Sequence, residues 1–161
     1  SIGNRAEWRA IIIPTDISSF VVRNTDKNAT DSYRYRKVGP IHMFNAAAIE
    51  KADKPIFIVE GEIDALSIVE AGGEAIALGS TACIRKLLKF LEIVKPQKKL
   101  ILFLDNDESG KKSTNELSKG LYRLEIDHKV IADSIAYKDA NQALVNDKNS
   151  LSSFVRQSNN I

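Results

Sequence analysis

The feature that most constrains the fold of this chain is a pair of short apolar runs that each end abruptly in carboxylates. The run PIFIV at residues 55–59 is followed by Glu60, and the run LILFL at residues 100–104 is followed by Asp105 and Asp107. Apolar runs of this length, bounded by polar residues, are typical of strands buried in a parallel sheet. Because chemistry in open α/β sheets lies at the carboxyl ends of the strands, we expect the three acids to lie at the same edge.

The chain beyond residue 52 alternates apolar runs with segments of helical periodicity. Gly72 and Gly73 end the first helical segment, and Pro96 follows the second, as is usual where helices stop. Strands connected in this way by helices predict a parallel sheet with helices on both faces, which is an α/β fold. The predicted strands are 55–59, 74–78, 99–104 and 128–135, and the predicted helices are 62–71, 81–94, 110–124 and 140–147.

The residues before this alternating region have a β-rich pattern. Short runs of β-branched and aromatic residues occupy 8–14, 19–25 and 33–39, with turn-forming residues between them. We therefore predict three parts, with the last residues of the third part frayed. They are a small β-rich N-terminal subdomain at 1–52, an α/β domain at 53–150 and a polar C-terminal tail at 151–161.

Composition limits the possible functions without selecting one. The chain has 23 basic and 21 acidic residues, and this net charge of +2 is too balanced to indicate nucleic-acid binding by itself. Cys83 is the only cysteine and there are two histidines, so an internal disulfide is excluded and a zinc site has no support.

The sequence contains no segment suited to crossing a membrane. No apolar run approaches the roughly 18–20 residues that a membrane-spanning helix needs, and no signal segment occurs at the start, where the first residue is Ser. We therefore expect a fragment of a longer cytoplasmic protein that has no membrane partner.

The carboxylates at the strand ends form a candidate site for a divalent cation. Asp105 and Asp107 are two residues apart, so on extended backbone both side chains would point the same way and share one ion. Oxygen ligands suit Mg²⁺, which binds through one or two carboxylates together with substrate phosphates. Glu60 would then act as a general acid or base on a hydroxyl, or bind a second metal.

A simpler interpretation is that acids after a strand only cap the next helix and complement its dipole. For Glu62, Asp64 and Glu108, this interpretation and a functional one are equally open. For the three acids at the strand ends it is insufficient, because like charges placed there repel one another unless a cation is present.

The sequence around these acids closely resembles the Toprim domain. The matching stretches are VEGEIDALS at 59–67 and LDNDESGKKS at 104–113, and the resemblance extends from residue 55 to about residue 145. Toprim is the metal-binding module of bacterial-type primases, topoisomerases, some nucleases and recombination mediators. Its hallmarks are a Glu after the first core strand and an Asp-x-Asp after the third, each with a nearby Gly, here Gly61 and Gly110.

This resemblance implies a fold and a metal site. The fold would be the Rossmann-like Toprim sheet of about four parallel strands flanked by helices. Asp105 and Asp107 would bind Mg²⁺ or Mn²⁺, and Glu60 would be catalytic or linked to the metal.

The subtype resembles primases and primase-helicases of phages and mobile elements. The stretch EGEIDALS is similar to the sequence around their Glu, and residues 137–141 resemble the Lys-Asp-x-Asn segment after their fourth core strand. In that comparison Lys138 would meet a phosphate and Asp139 would approach the metal. The metal ligands implied by the resemblance are thus Glu60, Asp105, Asp107 and Asp139.

The activity that the resemblance implies is that of a DNA primase, a DNA-directed RNA polymerase. Such a nucleotidyltransferase makes RNA primers on a single-stranded DNA template from ribonucleoside triphosphates. A zinc-binding domain, a helicase or both would lie elsewhere in the parent protein. The alternatives are a Toprim nuclease that uses the same acids with water as nucleophile, and a non-catalytic nucleic-acid-binding module of the recombination-mediator kind.

Basic and aromatic residues alternate before the Toprim-like region. Arg34, Arg36 and Lys37 interleave with Tyr33 and Tyr35, and on a strand the two arginines would share one face. Such a surface suits a single-stranded template or nucleotide phosphates, although an ordinary strand with its tyrosines in the core is equally open. The resembling primases have an Arg-containing strand in this region, which favours the functional interpretation. The candidate ligand-binding residues are Arg23, Arg34, Arg36, Lys37 and Lys138.

Overall fold

A computed structural model of the chain describes residues 9–131 and 136–160. The structure divides into two compact units, Ser1–His42 and Met43–Ile161. The first unit contains a three-stranded sheet and the second a four-stranded sheet. The predicted combination of a β-rich segment followed by an α/β domain is therefore confirmed.

The first unit consists of β1 (Ala10–Asp16), β2 (Ser19–Asn24), α1 (Asp31–Arg34) and β3 (Tyr35–Val38). Its strands are antiparallel and lie in the order β1-β2-β3. Ile13 lies opposite Val21 in the β1–β2 hairpin, and both side chains are buried. These paired apolar side chains are the core of this small sheet.

The predicted strand at 33–39 begins two residues later than expected. Tyr33 and Arg34 end the one-turn helix α1 instead. The β2–β3 pairing ends at Arg23 and Tyr35, and beyond it the side-chain amide of Asn24 donates a hydrogen bond to the Tyr33 carbonyl (3.1 Å). The prediction that Arg34 and Arg36 share one face of a strand is therefore wrong.

The second unit contains α2 (Ala48–Lys51), β4 (Ile56–Val59), α3 (Glu62–Glu70), β5 (Glu74–Ala77), α4 (Ala82–Ile93), β6 (Leu100–Leu102), α5 (Glu108–Arg123), β7 (His128–Val130), α6 (Ala140–Asn146) and α7 (Lys148–Asn159). Its four strands are all parallel and lie in the order β5-β4-β6-β7. Every residue of β4 and β6 is buried, as expected for central strands covered on both faces.

Helices cover both faces of this sheet. The apolar sides of α2, α4 and α5 pack on one face, and those of α3, α6 and α7 pack on the other. The chain leaves β4 through α3 toward β5 and leaves β6 through α5 toward β7, so it departs from these neighbouring strands in opposite directions. Their carboxyl ends therefore border a topological switch point, the usual position of ligand sites in open α/β sheets.

The C-terminal residues are helical rather than a frayed tail. Leu151 and Val155 on α7 are buried against the sheet. The ring of Phe154 lies 6.1 Å from that of Phe57 and 5.9 Å from that of Phe103, in edge-on contacts. The interpretation of residues 151–161 as a tail missed this apolar stripe, whose three members have helical spacing.

Two other predicted boundaries, those of α5 and β7, compare with the structure as follows. Helix α5 begins at Glu108 rather than at Gly110, because Asp107 caps it. Strand β7 spans His128–Val130, and residues 132–135 of the predicted strand lie outside the described part of the chain.

The long helices are amphipathic. In α4, Ile84, Leu87 and Leu91 face the core, while Arg85 and Lys89 face solvent. Across the described ranges, no helix combines the length and the apolar character that a membrane crossing requires.

Candidate metal and catalytic site

The acids predicted at the strand ends lie at one edge of the sheet. Glu60 directly follows β4, and Asp105 lies three residues beyond β6, the strand that pairs with β4. Hydrogen bonding continues past the strand ends, since the Phe103 N–H donates to the Ile58 carbonyl at 2.9 Å. Glu60 and Asp105 therefore flank the switch point.

Gly110 allows the two halves of the site to approach each other. A Cβ at this position would lie 2.0 Å from the Asp105 carbonyl oxygen and 2.9 Å from Glu60 Oε1. The Gly110 N–H also donates to Asp107 Oδ1 at 3.0 Å, so Asp107 caps α5. A side chain at Gly110 would displace the loop that carries Asp105 and Asp107, which explains the glycine physically.

Lys138 joins the two aspartates. Its Nζ lies 3.4 Å from Asp105 Oδ2 and 3.3 Å from Asp107 Oδ2. The backbone of the same residue is also fixed, because the Asn106 N–H donates to the Lys138 carbonyl (2.8 Å) and the Lys138 N–H donates to Gln142 Oε1 (2.8 Å). The Lys-Asp-x-Asn segment therefore lies directly against the Asp-x-Asp loop.

Asp139 begins the next helix. Its Oδ1 accepts a hydrogen bond from the Gln142 N–H at 2.7 Å, and the residue is the N-cap of α6. Three helices of this unit thus begin beside the predicted site. Helix α3 begins two residues after Glu60, and Asp107 and Asp139 are the N-caps of α5 and α6.

The carboxylates differ in their electrostatic environments. Burial, reinforced by the negative charge of Asp105, raises the pKa of Glu60 from 4.5 to about 7. Burial also raises the pKa of Asp105, although Lys138 opposes that shift. The hydrogen bond from Gly110 lowers the pKa of Asp107, and bonding to Asp107 in turn raises that of Lys138. The site therefore combines a readily protonated Glu60 with an ionised Asp107.

One oxygen of Glu60 has no hydrogen-bond partner although it is buried. This atom is Oε1. An open pocket with an empty volume of about 290 Å³ adjoins Glu60. It is lined in addition by Leu78, Gly79, Ser80, Thr81, Leu104 and Ser113. Since an unsatisfied buried carboxylate oxygen is costly, Glu60 is poised to accept a bond from a ligand group or to bind a cation.

Asp64, for which the sequence left a capping and a functional role equally open, belongs to the same cluster. Its Oδ1 accepts a hydrogen bond from the Asn141 N–H at 3.0 Å, so it connects α3 to the start of α6. Burial raises the pKa of Asp64 from 3.8 to about 6. Asp64 lies in the first turn of α3, the helix that directly follows Glu60 and Gly61, and that position was the available signal.

The donor atoms suit a hard divalent cation. Carboxylate oxygens of Asp105 and Asp107 converge on one positive group, and Glu60 Oε1 lies unsatisfied nearby. In the ranges 9–131 and 136–160, no group of three or more His, Cys, Asp or Glu side chains surrounds a common point. The chemistry of the residues thus fits Mg²⁺ or Mn²⁺, while the position between the two aspartates is held by an ammonium group.

The basic candidates before the α/β domain lie in the first unit. Arg23 is on β2, Arg34 ends α1, and Arg36 and Lys37 are on β3. The side chains of Tyr33 and Tyr35 are 52% and 50% exposed, so the tyrosines are not core residues. The Lys37 Nζ lies 6.0 Å from the centre of the Tyr35 ring.

The fold and the acidic switch point together define an α/β protein with a candidate cation site at the carboxyl edge of its sheet. Residues 57–144, more than half of the chain, match the Toprim-like family, and the chain belongs to that family. Toprim domains generally bind divalent metal. No curated protein matches the sequence significantly.

Several solved primase structures share the fold. The primase fragment of the bacteriophage T7 primase-helicase superimposes with a TM-score of 0.63 and 22% identity, covering 88% of this chain and 58% of that one. For the Aquifex aeolicus primase the values are 0.63 and 19%, with 92% and 40% covered. For the RNA polymerase domain of the Mycobacterium tuberculosis primase DnaG they are 0.61 and 19%, with 94% and 55% covered. The chain thus spans 40–58% of the length of these proteins and is a Toprim protein with a primase-like fold.

Proposed function

We propose that this protein is the catalytic region of a DNA primase, which joins ribonucleotides on a single-stranded DNA template. The observation that carries the proposal is that Glu60, Asp105 and Asp107 all follow the carboxyl ends of the two strands that border the switch point of the Toprim sheet. The likeness to primase RNA polymerase domains supports it, because that likeness covers 88–94% of the chain and so extends beyond the Toprim match.

The ligands of the similar proteins agree with this proposal. Primase domains of two bacteriophage T7 gp4 subunits have been solved in a complex that also contains the phage lagging-strand DNA polymerase, an RNA/DNA hybrid and dTTP. The RNA polymerase domain of the M. tuberculosis primase has been solved in complex with double-stranded DNA. These complexes support nucleic acid and nucleotides as the class of ligand, and we propose a single-stranded DNA template and ribonucleoside triphosphates in particular. We place it in the cytoplasm, within a primase or primase-helicase of a phage or mobile element that also carries a zinc-binding domain, a helicase or both.

In the reaction that we propose, the 3′-hydroxyl oxygen attacks the α-phosphorus of a nucleoside triphosphate, and pyrophosphate leaves. Asp105 and Asp107 would bind Mg²⁺ or Mn²⁺, with Glu60 and Asp139 as further ligands. The ion, when bound, supplies positive charge that neutralises the triphosphate.

The chain's own groups supply the remaining steps. Glu60, which lies at the carboxyl end of β4 beside Asp105, would take the proton that the attacking hydroxyl loses if it is not itself a metal ligand. Its unpartnered Oε1 is available to accept the hydrogen bond that precedes this transfer. Lys138 contributes its ammonium group to the phosphates.

The first unit would contact the nucleic acid or the nucleotide phosphates. Arginine and lysine side chains neutralise phosphates, and half-exposed tyrosine rings offer faces on which bases stack. The residues proposed for this role are Arg23, Arg34, Arg36 and Lys37, together with Tyr33 and Tyr35.

Primer synthesis by the Glu60→Gln variant tests the proposal. The protein is incubated with single-stranded DNA, labelled ribonucleotides and Mg²⁺ or Mn²⁺, and the products are separated on a denaturing gel. We expect new labelled oligomers whose rate of formation falls on the order of a hundredfold or more in Glu60→Gln. Glu108→Gln is the matched control, because it removes the same charge from an exposed residue at the start of α5.

The same gel separates the alternatives. Shortened DNA without new oligomers would replace the primase proposal with a nuclease that directs water at phosphorus. Retarded DNA in a native gel, with neither synthesis nor cleavage, would indicate a binding module of the recombination-mediator kind.

A further inference from the structure

The position that two site carboxylates share is already occupied by a group of this chain. The Lys138 Nζ lies 3.4 Å from Asp105 Oδ2 and 3.3 Å from Asp107 Oδ2, so one ammonium bridges one oxygen of each carboxylate. A divalent ion bound by the same oxygens would lie within a few ångströms of that ammonium. Two positive groups at this separation repel each other, so the ammonium bound to these oxygens weakens their binding of a divalent ion.

The side chain of Lys138 is able to leave without unfolding the segment that carries it. Its side chain is 52% exposed. The backbone of the segment is fixed independently, through the bonds from Asn106 N–H to the Lys138 carbonyl and from Lys138 N–H to Gln142 Oε1. The Asn141 N–H bond to Asp64 holds the other end of the segment. Rotation about side-chain bonds is therefore sufficient to move the ammonium.

We infer that Lys138 is a built-in counter-ion for Asp105 and Asp107, and that a divalent ion must displace its ammonium group. The displaced ammonium group then binds the phosphates of the nucleotide that arrives with the ion. This inference rests on the proposed function, since it takes the same two aspartates as metal ligands. Free metal binds weakly because it has to replace an existing partner of both carboxylates. A nucleotide triphosphate offers the displaced ammonium a new anionic partner, so metal and nucleotide strengthen each other's binding.

The affinity of the protein for free Mn²⁺ tests the first half of this inference. Binding is followed by the loss of the electron paramagnetic resonance signal of the free ion, with no nucleotide or DNA present. Lys138→Met keeps an unbranched side chain, one atom shorter, and removes its charge. We expect it to bind Mn²⁺ on the order of tenfold more tightly than the wild type.

Two further variants test whether the charge of Lys138 itself lowers the affinity for Mn²⁺. Lys138→Arg retains a cation and should bind Mn²⁺ as weakly as the wild type. Lys112→Met removes the same charge from an exposed residue of α5 and should change the affinity much less. Equal affinities for Lys138→Met and Lys112→Met would overturn the inference. Weaker binding by Lys138→Met would overturn it as well, because it would assign Lys138 the purely structural task of holding the site together.

Nucleotide affinity tests the second half. Fluorescence anisotropy of an ATP derivative with a fluorophore on its ribose, measured in saturating Mn²⁺, should show binding to Lys138→Met that is several-fold weaker than to the wild type. Unchanged nucleotide affinity would refute the transfer of Lys138 to the phosphates. Neither experiment requires primer synthesis, so an inactive protein that shows the expected Mn²⁺ pattern would reject the proposed activity and leave this inference standing.

Discussion

Glu60 should make the metal-free protein less stable as the pH rises, and Glu60→Gln should remove that loss. The pKa of Glu60 is about 7 in the folded protein against an ordinary value of 4.5. Below about pH 4.5 the carboxyl is protonated in both the folded and the unfolded chain, and its burial carries no charge penalty. Above pH 7 it is ionised in both, and the folded chain bears the full cost of the buried charge.

The size of this effect follows from the shift. Each pKa unit corresponds to about 1.4 kcal/mol, so a shift from 4.5 to about 7 sets an upper bound of about 3.5 kcal/mol. Glu60 is partly exposed to water, which screens its interaction with Asp105. A discount of about half for this screening gives an expected loss of about 1–2 kcal/mol between pH 4.5 and pH 8.

Urea denaturation in the presence of a metal chelator measures the difference. At pH 8, Glu60→Gln should unfold with a free energy about 1–2 kcal/mol higher than the wild type, and near pH 4.5 the two proteins should be equal. Glu108→Gln, which changes an exposed charge, should show no such dependence on pH. A gap between Glu60→Gln and the wild type that is the same at both pH values would refute the reasoning, because only ionisation of Glu60 makes the gap grow with pH.

Three other variants test the packing and the electrostatics of the site. Gly110→Ala places a Cβ 2.0 Å from the Asp105 carbonyl oxygen, so we expect a loss of at least about 2 kcal/mol in urea denaturation together with weaker Mn²⁺ binding; full retention of both would show that the loop adapts freely. Leu151→Ala truncates a buried side chain of α7 and should lower the free energy of unfolding by about 2–4 kcal/mol. A decrease below about 0.5 kcal/mol would mean that α7 does not pack stably against the sheet. Asp64→Asn removes a negative charge that raises the pKa of Glu60, so the carboxyl resonance of Glu60 should titrate at lower pH in carbon-13 spectra; an unchanged or higher value would exclude this coupling.

The sheet and its acidic edge were predictable because they depend on local patterns. Runs such as 55–59 and 100–104 are apolar throughout, and only a strand covered on both faces buries every residue. The carboxyl ends of adjacent parallel strands meet by geometry, so the neighbourhood of Glu60 and Asp105 followed directly. The glycine at 110 could be assigned to the motif, but its close approach to Glu60 required the structure.

The features that the sequence analysis missed depend on contacts between distant segments. Tyr33 ends a helical turn, and its carbonyl accepts a hydrogen bond from the side chain of Asn24, a contact that no propensity of residues 33–39 reveals. The pairing of Lys138 with both aspartates and the bond from Asn141 to Asp64 join segments more than 30 residues apart. Such contacts are set by packing of the helices against the sheet and leave no periodic trace in the sequence.

Helix capping at the site has a consequence for reading substitutions in related chains. Asp107 and Asp139 each start a helix, so a chain that had lost every ligand would still retain them to keep α5 and α6 intact. Glu60 caps no helix, and its raised pKa is a burden on folding. A glutamate at the position of Glu60 in a relative is therefore stronger evidence of catalytic activity than an aspartate at the position of Asp107. A relative that has exchanged Glu60 for a neutral residue should be more stable and inert.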